Sequence, residues 1–178
     1  MKFIYTFLLL SIPLIVICQT PTKEQIKEVA DAKKEVKKLK GEPFPEFDLT
    51  TLEGAQVSSK DTKGKIMLVN FWFTRCRPCI VEMPEMNEMV EEFQDEEIIF
   101  IAPTFDSHEQ VSKFLQKRDF DYQSIPDAKD FCLEMNVRSF PTHFVVNQEG
   151  VIDKVVIGYS SMTVKALRKS IRKLLKSE

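Results

Sequence analysis

The sequence predicts an α/β fold, in which a central mixed sheet of four to five strands carries helices on both faces and follows an N-terminal β-hairpin. Two continuous apolar runs, 66–73 and 98–102, have the composition of strands buried on both faces. A segment with apolar residues at helical spacing follows each run, which is the order of a parallel β-α-β unit. Two further apolar runs, separated by Gln148-Glu149-Gly150, predict a second hairpin.

The composition is that of one globular domain and narrows the possible functions. Of the 178 residues, 43% are hydrophobic and 29% are charged, which suits a packed core. The net charge of -2 leaves no basic surface of the kind that binds nucleic acid, so we expect no nucleic-acid partner. The four cysteines are too few for a disulfide-dense scaffold.

The first 18 residues predict an export signal. Lys2 precedes an apolar stretch over 3–17, which is shorter than the about 20 apolar residues of a membrane span. We therefore expect residues 1–18 to be a signal peptide, and the protein to be periplasmic or in the cell envelope. Lipidation of Cys18, with membrane attachment through the N-terminus, stays open, although Ile17 is bulkier than the small residue common before such a cysteine.

Residues 19–40 predict a charged helical spacer ahead of a domain at 41–178. The segment contains seven Lys and four acidic residues, and its apolar residues form only a narrow stripe at helical spacing. A solvated helix is one interpretation, and a contact with a membrane surface or a partner is the other.

The domain itself divides into short predicted elements. Strands at 47–49 and 56–58, joined through Glu53-Gly54, predict the N-terminal hairpin. Beyond the two buried runs, we predict helices over 107–118 and 127–135, strands over 143–147 and 151–157, and a closing helix over about 161–175. Ser107 is the predicted N-cap of the first of these helices.

The motif that carries chemistry is Cys76-Arg77-Pro78-Cys79, between a buried strand and a helix. A thiol at a helix N-terminus meets unpaired backbone N–H groups and the positive end of the helix dipole, which stabilise its thiolate. Two intervening residues let the second sulfur reach the first. Pro78 suits the first helical turn, and Arg75 and Arg77 favour the thiolate if they face the sulfur. This context predicts a thiol redox site.

A zinc site is the alternative use of such a cysteine pair. Four ligands require a second pair or a nearby Cys and His. We expect His108 on the exposed first turn of a helix, His143 in a strand and Cys132 in a small apolar core slot. The sequence therefore predicts no metal.

Three motifs in order resemble one family. The string over 64–84, with its apolar strand, cysteine pair and Glu82-Met83-Pro84, is similar to the TlpA/ResA-like thiol-disulfide oxidoreductases, a branch of the thioredoxin superfamily. Segments 47–54 and 137–142 resemble the N-terminal hairpin and the cis-proline segment of that branch. The resemblance spans about 41–176. It implies a thioredoxin-like fold and dithiol–disulfide exchange that uses no soluble cofactor.

The resemblance also implies roles for individual residues. Cys76 is then the attacking thiolate and Cys79 the resolving thiol, and the two form the redox-active disulfide. Pro141 is the cis-proline, and Phe140 presents its backbone to a substrate chain. Glu82, three residues after Cys79 on the same helix face, is placed to carry the proton of Cys79 if it is partly buried, whereas an exposed Glu82 is only a solvated charge.

Two positions depart from the family pattern. Arg75 stands where a Trp commonly precedes the first cysteine, so an aromatic wall is lost and a positive charge is added. Asn70 stands where cytosolic thioredoxins have a buried Asp, so that carboxylate is not available to carry a proton. The predicted substrate-binding set comprises Trp72, Arg75, Arg77, Phe140 and Pro141.

These expectations lead to one function and two alternatives. We expect an exported thiol-disulfide oxidoreductase that reduces disulfide-bearing client proteins and receives electrons from a membrane thiol-reducing donor. A thiol peroxidase-like enzyme is one alternative, although the Pro-x-x-x-Thr-x-x-Cys context is absent, since Thr74 lies only two residues before Cys76. A binding module with a structural disulfide is the other.

Overall fold

A computed structural model describes residues 20–176. The predicted signal peptide and Cys18 lie outside the described residues. The elements in chain order are α1 (Lys23–Lys38), β1 (Asp48–Thr50), β2 (Gln56–Ser58), β3 (Ile66–Phe71), α2 (Arg77–Glu92), β4 (Ile98–Pro103), α3 (His108–Leu115), β5 (Gln123–Ile125), α4 (Lys129–Glu134), β6 (Thr142–Val146), β7 (Ile152–Ile157) and α5 (Thr163–Leu174). Within 20–176 no helix is both long and apolar enough to cross a membrane.

Five of the strands form a single mixed sheet in the order β5-β4-β3-β6-β7. The pairs β3–β4 and β4–β5 are parallel, whereas β6 runs antiparallel to both β3 and β7. β1 and β2 form a separate antiparallel hairpin. The predicted fold class, a thioredoxin-like mixed sheet with an N-terminal hairpin, is confirmed.

The central strand β3 is buried along its whole length because helices cover both of its faces. Ile66 and Leu68 point into a core formed with α2, α3 and α5. Met67 and Val69, one residue out of phase, point into a second core formed with α1, α4 and the hairpin. The alternation of a strand therefore divides one apolar run between two cores.

Some predicted boundaries differ from the structure for local reasons. The strand predicted over 66–73 ends at Phe71, and Trp72 keeps only an isolated bridge to Thr104. Ser107 caps α3 as predicted, with Gln110 completing a capping box. The helix predicted from Asp127 starts two residues later, since Asp127 has a φ of 55°, in the left-handed region.

The structure corrects the interpretation of α1 as a solvated spacer. Residues 23–38 are helical, as predicted. Ala32 and Val36 are only 8% and 3% exposed, and Val36 belongs to the second core. Glu28 also pairs with Arg138 at 3.3 Å. The helix packs on the domain because its narrow apolar stripe faces the sheet toward its C-terminal end, whereas Ile26, near its N-terminal end, is 56% exposed.

The segment that follows α1 reaches both edges of the five-stranded sheet. Gly41 N donates to the carbonyl of Ile152 at 2.8 Å, and Ile152 N donates to the carbonyl of Glu42 at 3.0 Å. At the other edge, Leu52 N donates to the carbonyl of Ser124 at 2.8 Å. Residues 41–52 therefore connect to β7 and to β5 through backbone hydrogen bonds.

Candidate active site

Cys76 and Cys79 form a disulfide at the N-terminus of α2. Cys76 is the N-cap residue, and its sulfur accepts a hydrogen bond from Cys79 N at 3.3 Å. Cys76 is 4% exposed, whereas Cys79 is fully buried. Of the two cysteines, Cys76 at the helix N-terminus is thus the one with any exposed surface, whereas Cys79 has none.

The loop before Cys76 is anchored by backbone hydrogen bonds. Cys76 N donates to the carbonyl of Phe73 at 3.0 Å. Thr74 N donates to Oδ2 of Asp106 at 2.6 Å. Asp106 is 4% exposed, and its own N–H is held by the hydroxyl of Thr104 at 3.2 Å. A buried carboxylate in the loop after β4 therefore fixes the entry to α2.

Arg75 and Arg77 flank Cys76 and are both exposed. The first turn of α2 contains no acidic residue that would offset them. Their charges therefore add to the positive end of the helix dipole beside Cys76.

The structure corrects the prediction that Trp72 binds substrate. Trp72 is fully buried, and its indole N–H donates to the carbonyl of Ala102 at 3.1 Å. Its ring packs against Phe114 and Phe120, with centroids 5.4 Å away in each case. A side chain with no exposed surface cannot contact a substrate, so Trp72 is a core residue.

Phe140 and Pro141 are joined by a cis peptide bond. Pro141 is buried and its carbonyl accepts from Gly158 N at 2.7 Å. Phe140 is half-buried, and its ring lies 5.3 Å from that of Phe73 and 5.6 Å from that of Phe105. Together these three rings form an aromatic cluster, defined as Phe73, Phe105 and Phe140, beside the loop that leads to Cys76.

Glu82 is not a solvated charge but part of a buried polar cluster with Asn70 and His143, which are all at most 1% exposed. Asn70 Nδ2 donates to Glu82 Oε1 at 3.4 Å. His143 Nε2 lies 3.3 Å from the same oxygen, without the alignment of a hydrogen bond. Asn70 and His143 are opposite residues of β3 and β6. Within the described structure, Glu82 Oε2, Asn70 Oδ1 and His143 Nδ1 have no hydrogen-bond partner.

Two tyrosines lie in the electrostatic field of this cluster. Burial raises the pKa of Tyr122 well above its ordinary value, and the charge of Glu82 adds to the effect. A hydrogen bond from the Tyr159 hydroxyl to Glu85 Oε1, at 3.1 Å, raises the pKa of Tyr159. Both phenols therefore keep their protons, and stay neutral, to a higher pH than an ordinary tyrosine.

Cys132 is a free and buried cysteine in the second core. Burial raises the pKa of its thiol to about 12. A thiol that ionises so late is a poor nucleophile at neutral pH. It also lies in the core on the opposite face of the sheet from Cys79, so it packs as a small apolar residue.

Sequence reasoning placed His143 in a strand but did not connect it to Glu82. The sequence did offer one indication. His143 and Val145 lie on the same face of β6, and that face packs toward α2, so a lone imidazole among apolar core residues could have been noticed. Asp106 was also missed, because its contact with Thr74 spans 32 residues of sequence. No local pattern carries a contact of that separation.

The comparisons with known proteins agree with this arrangement. Residues 40–155 match the model of the AhpC/TSA family. The thioredoxin-like protein YneN of Bacillus subtilis is 36% identical over 144 residues, which cover 79% of this chain and 83% of that protein. The thiol-disulfide oxidoreductase ResA of Bacillus cereus is 33% identical over 120 residues, which cover 66% and 69% of the two chains.

A solved structure shares the fold. The thioredoxin domain of a thiol-disulfide oxidoreductase from Bacteroides vulgatus superposes with a TM-score of 0.65 at 25% identity, covering 73% of this chain and 96% of that domain. The fold, the cysteine pair at the helix N-terminus and the curated relatives all indicate the same chemistry. The chain belongs to the AhpC/TSA family, and within it to the thiol-disulfide oxidoreductases of the ResA type.

Proposed function

We propose that the protein is exported and reduces disulfide bonds of client proteins in the cell envelope. The observation that carries the proposal is the asymmetry of the pair, in which Cys76 caps α2 and has exposed surface while Cys79 has none. An attacking thiolate needs access and stabilisation, and a resolving thiol needs only to reach its neighbour.

The exchange begins on the reduced protein. The Cys76 thiolate attacks one sulfur of a client disulfide, and the other client sulfur leaves with the electron pair of the broken bond. Cys79 then loses its proton and attacks the Cys76 sulfur of the mixed disulfide. The Cys76–client bond breaks, the client leaves as a dithiol, and two electrons have passed from the pair to the client.

The surroundings of the pair support roles for the other predicted residues. Glu82 is the base that takes the proton of Cys79, since it lies three residues further along the same helix and is buried. Phe140 and Pro141 offer backbone to the client chain. Arg75 and Arg77, both exposed, attract acidic client segments and stabilise the Cys76 thiolate.

The proposed compartment follows from the sequence of residues 1–18, whose charged start and apolar stretch favour export. Acylation of Cys18 would add membrane attachment through the N-terminus. Envelope proteins that act as reductants need a continuous supply of electrons. We propose that a membrane protein with a reactive dithiol regenerates the reduced pair. Fractionation of cells that produce the full chain tests the location, and recovery in the cytoplasmic fraction would contradict it.

An equilibrium redox titration with thiol trapping tests the activity. A midpoint near the about -270 mV of thioredoxin supports a reductant, whereas one near the about -120 mV of a strong periplasmic oxidant reverses the proposed direction. Absence of a reversible transition would leave a structural disulfide. Rapid consumption of hydrogen peroxide by the reduced protein would favour a peroxidase.

The order of the two cysteines is tested by trapping. Cys79→Ser is expected to accumulate a mixed disulfide with a client peptide, because the resolving thiol is missing. Cys76→Ser is expected to accumulate none, because Cys79 is buried. The opposite pattern would exchange the two roles.

A further inference from the structure

His143 is a buried imidazole whose presence core packing does not explain. It occupies β6 between Thr142 and Phe144, and its neighbour on the same face, Val145, lies in the apolar core. A buried polar group without a well-formed hydrogen bond costs free energy, so its retention calls for a role. The one charged group at contact distance from it in the described structure is Glu82.

We propose that His143 is a positioning residue, which holds the carboxylate of Glu82 ionised and aimed so that Glu82 takes the proton of Cys79 during resolution. The inference rests on the proposed exchange function and extends it to a residue outside the cysteine helix. Asn70 Nδ2 and His143 Nε2 approach the same carboxylate oxygen, at 3.4 and 3.3 Å, from the two adjacent strands. Both strands therefore place a side-chain nitrogen against the same oxygen of Glu82.

The buried site makes such support necessary. A carboxylate removed from water prefers its neutral, protonated form unless donors or positive charge face it. A protonated Glu82 could not accept a proton from Cys79. In the tautomer that carries hydrogen on Nε2, His143 donates toward Glu82 Oε1 and favours the ionised form. Resting-state catalytic contacts are commonly poorly aligned, which matches the geometry here.

The proton balance of the step is simple. The S–H bond of Cys79 breaks and its proton moves to Glu82, while the Cys79 sulfur bonds to Cys76 and the client sulfur departs with the electron pair. His143 neither gains nor loses a proton in this step. Reduction of the disulfide by the electron donor returns the proton from Glu82 to Cys79.

The other ionisable groups near the cluster are neutral or contact partners other than Glu82. On α2, Glu85 accepts the hydroxyl of Tyr159, which follows β7. Tyr122 is neutral and buried. At its N-terminal end α5 contributes uncharged Thr163 and Val164 to the core, whereas Lys165 is exposed. Arg168, one turn further along α5, pairs with glutamates near the C-terminal end of α2. Within the described structure His143 is thus the ionisable group placed to support Glu82, beside the amide of Asn70.

A two-phase kinetic experiment tests the proposal on the full chain. Reduced protein is mixed with an aromatic disulfide whose released thiolate is coloured. The first release reports attack by Cys76 and depends on reagent concentration. The second release reports resolution by Cys79 and does not. The rate of this second phase is measured as a function of pH.

For His143→Leu we expect the pH midpoint of the second phase to rise by at least about one unit, which is a roughly tenfold loss of rate at pH values well below the wild-type midpoint. His143→Gln is expected to restore the profile, because its amide can donate toward Glu82 from nearly the same place. His108→Leu, a change at an exposed histidine, is the matched control and should leave the profile unchanged.

A double variant, His143→Leu with Glu82→Gln, distinguishes positioning of Glu82 by His143 from a general structural effect of the His143 change. If His143 acts through Glu82, adding His143→Leu to Glu82→Gln changes the profile no further. A His143→Leu profile that coincides with the wild type, or that falls equally at every pH, overturns the proposal. If this variant does not fold, His143→Asn, whose shorter amide cannot reach Glu82, carries the same expectation. A wild-type protein that shows no second phase contradicts the exchange function instead.

Discussion

The carboxylate of Asp106 accepts the backbone N–H of Thr74 at 2.6 Å, two residues before the first cysteine. Asp106 lies in the loop after β4, and Thr74 lies in the loop between β3 and α2. The contact therefore joins the ends of two parallel neighbouring strands at the point where the reactive disulfide begins. Because Asp106 is buried, this charge-assisted hydrogen bond is shielded from water.

Asp106→Ala is expected to destabilise the protein and to slow exchange. The change leaves Thr74 N–H without its acceptor in a half-buried loop, which costs about 1–3 kcal/mol. Urea unfolding measures the first effect, and the rate of attack by Cys76 measures the second. Asp121→Ala, a change at an exposed aspartate, is the control. Equal stability of the two variants would show that the Asp106–Thr74 contact contributes nothing.

Phe105→Ala is expected to weaken the reaction with polypeptide clients more than the reaction with small disulfides. Phe105 is 40% exposed within the aromatic cluster, which supplies apolar surface beside Cys76 although Arg75 occupies the usual Trp position. Loss of a partly exposed aromatic contact corresponds to about a five- to tenfold fall in kcat/KM, or roughly 1 kcal/mol. An equal fall with a small aliphatic disulfide would indicate damage to the site itself. Leu133→Ala, at a similarly exposed apolar residue on α4, is the matched control.

Val36→Ala is expected to lower the free energy of unfolding by about 2 kcal/mol, from two buried methyl groups and the cavity that they leave. Val36 is 3% exposed and packs in the second core, whereas Ile26 on the same helix is 56% exposed. Ile26→Ala should therefore change stability by less than about 0.5 kcal/mol. Denaturant titration compares the two. A neutral Val36→Ala would mean that α1 contributes no packing energy.

Cys132 is expected to make the fold more sensitive to alkali. Burial raises the pKa of its thiol from the ordinary value of 9.0 to about 12. Between these values the folded protein keeps a proton that the unfolded chain has lost, so stability falls as pH rises. Unfolding from pH 8 to 11 should show a loss of up to about 1.4 kcal/mol per unit above pH 9 that Cys132→Ala does not show. Parallel curves for the two proteins would contradict this.

The order of elements and the position of the reactive pair were predictable because they depend on local patterns. The apolar run of β3, the Cys-x-x-Cys spacing and the N-cap Ser107 act over a few residues, and each is confirmed. β5 was not predicted as a strand, because no turn signal joins Gln123-Ser124-Ile125 to a neighbouring strand as Glu53-Gly54 does in the N-terminal hairpin. Its pairing with β4 defines it.

The interior of the candidate site was less predictable. Trp72 was predicted to belong to the substrate-binding set, but its ring lies in the core against Phe114 and Phe120. The meeting of Glu82 with His143 depends on the register of β3 with β6 and on the packing of α2 across both. Such contacts depend on how the strands and helices pack in three dimensions. The spacing of residues along a single sequence does not reveal that packing.

The backbone hydrogen bonds that residues 41–52 make at both edges of the sheet affect whether another chain can pair with those edges. A strand with unpaired N–H and C=O groups is a template on which another chain can polymerise. Here β7 is engaged near its start by Gly41 and Glu42, and β5 is both short and engaged by Leu52. At Ile152 and Ser124 the edge strands are therefore closed to pairing with another chain, which restricts edge-to-edge association with the clients proposed above.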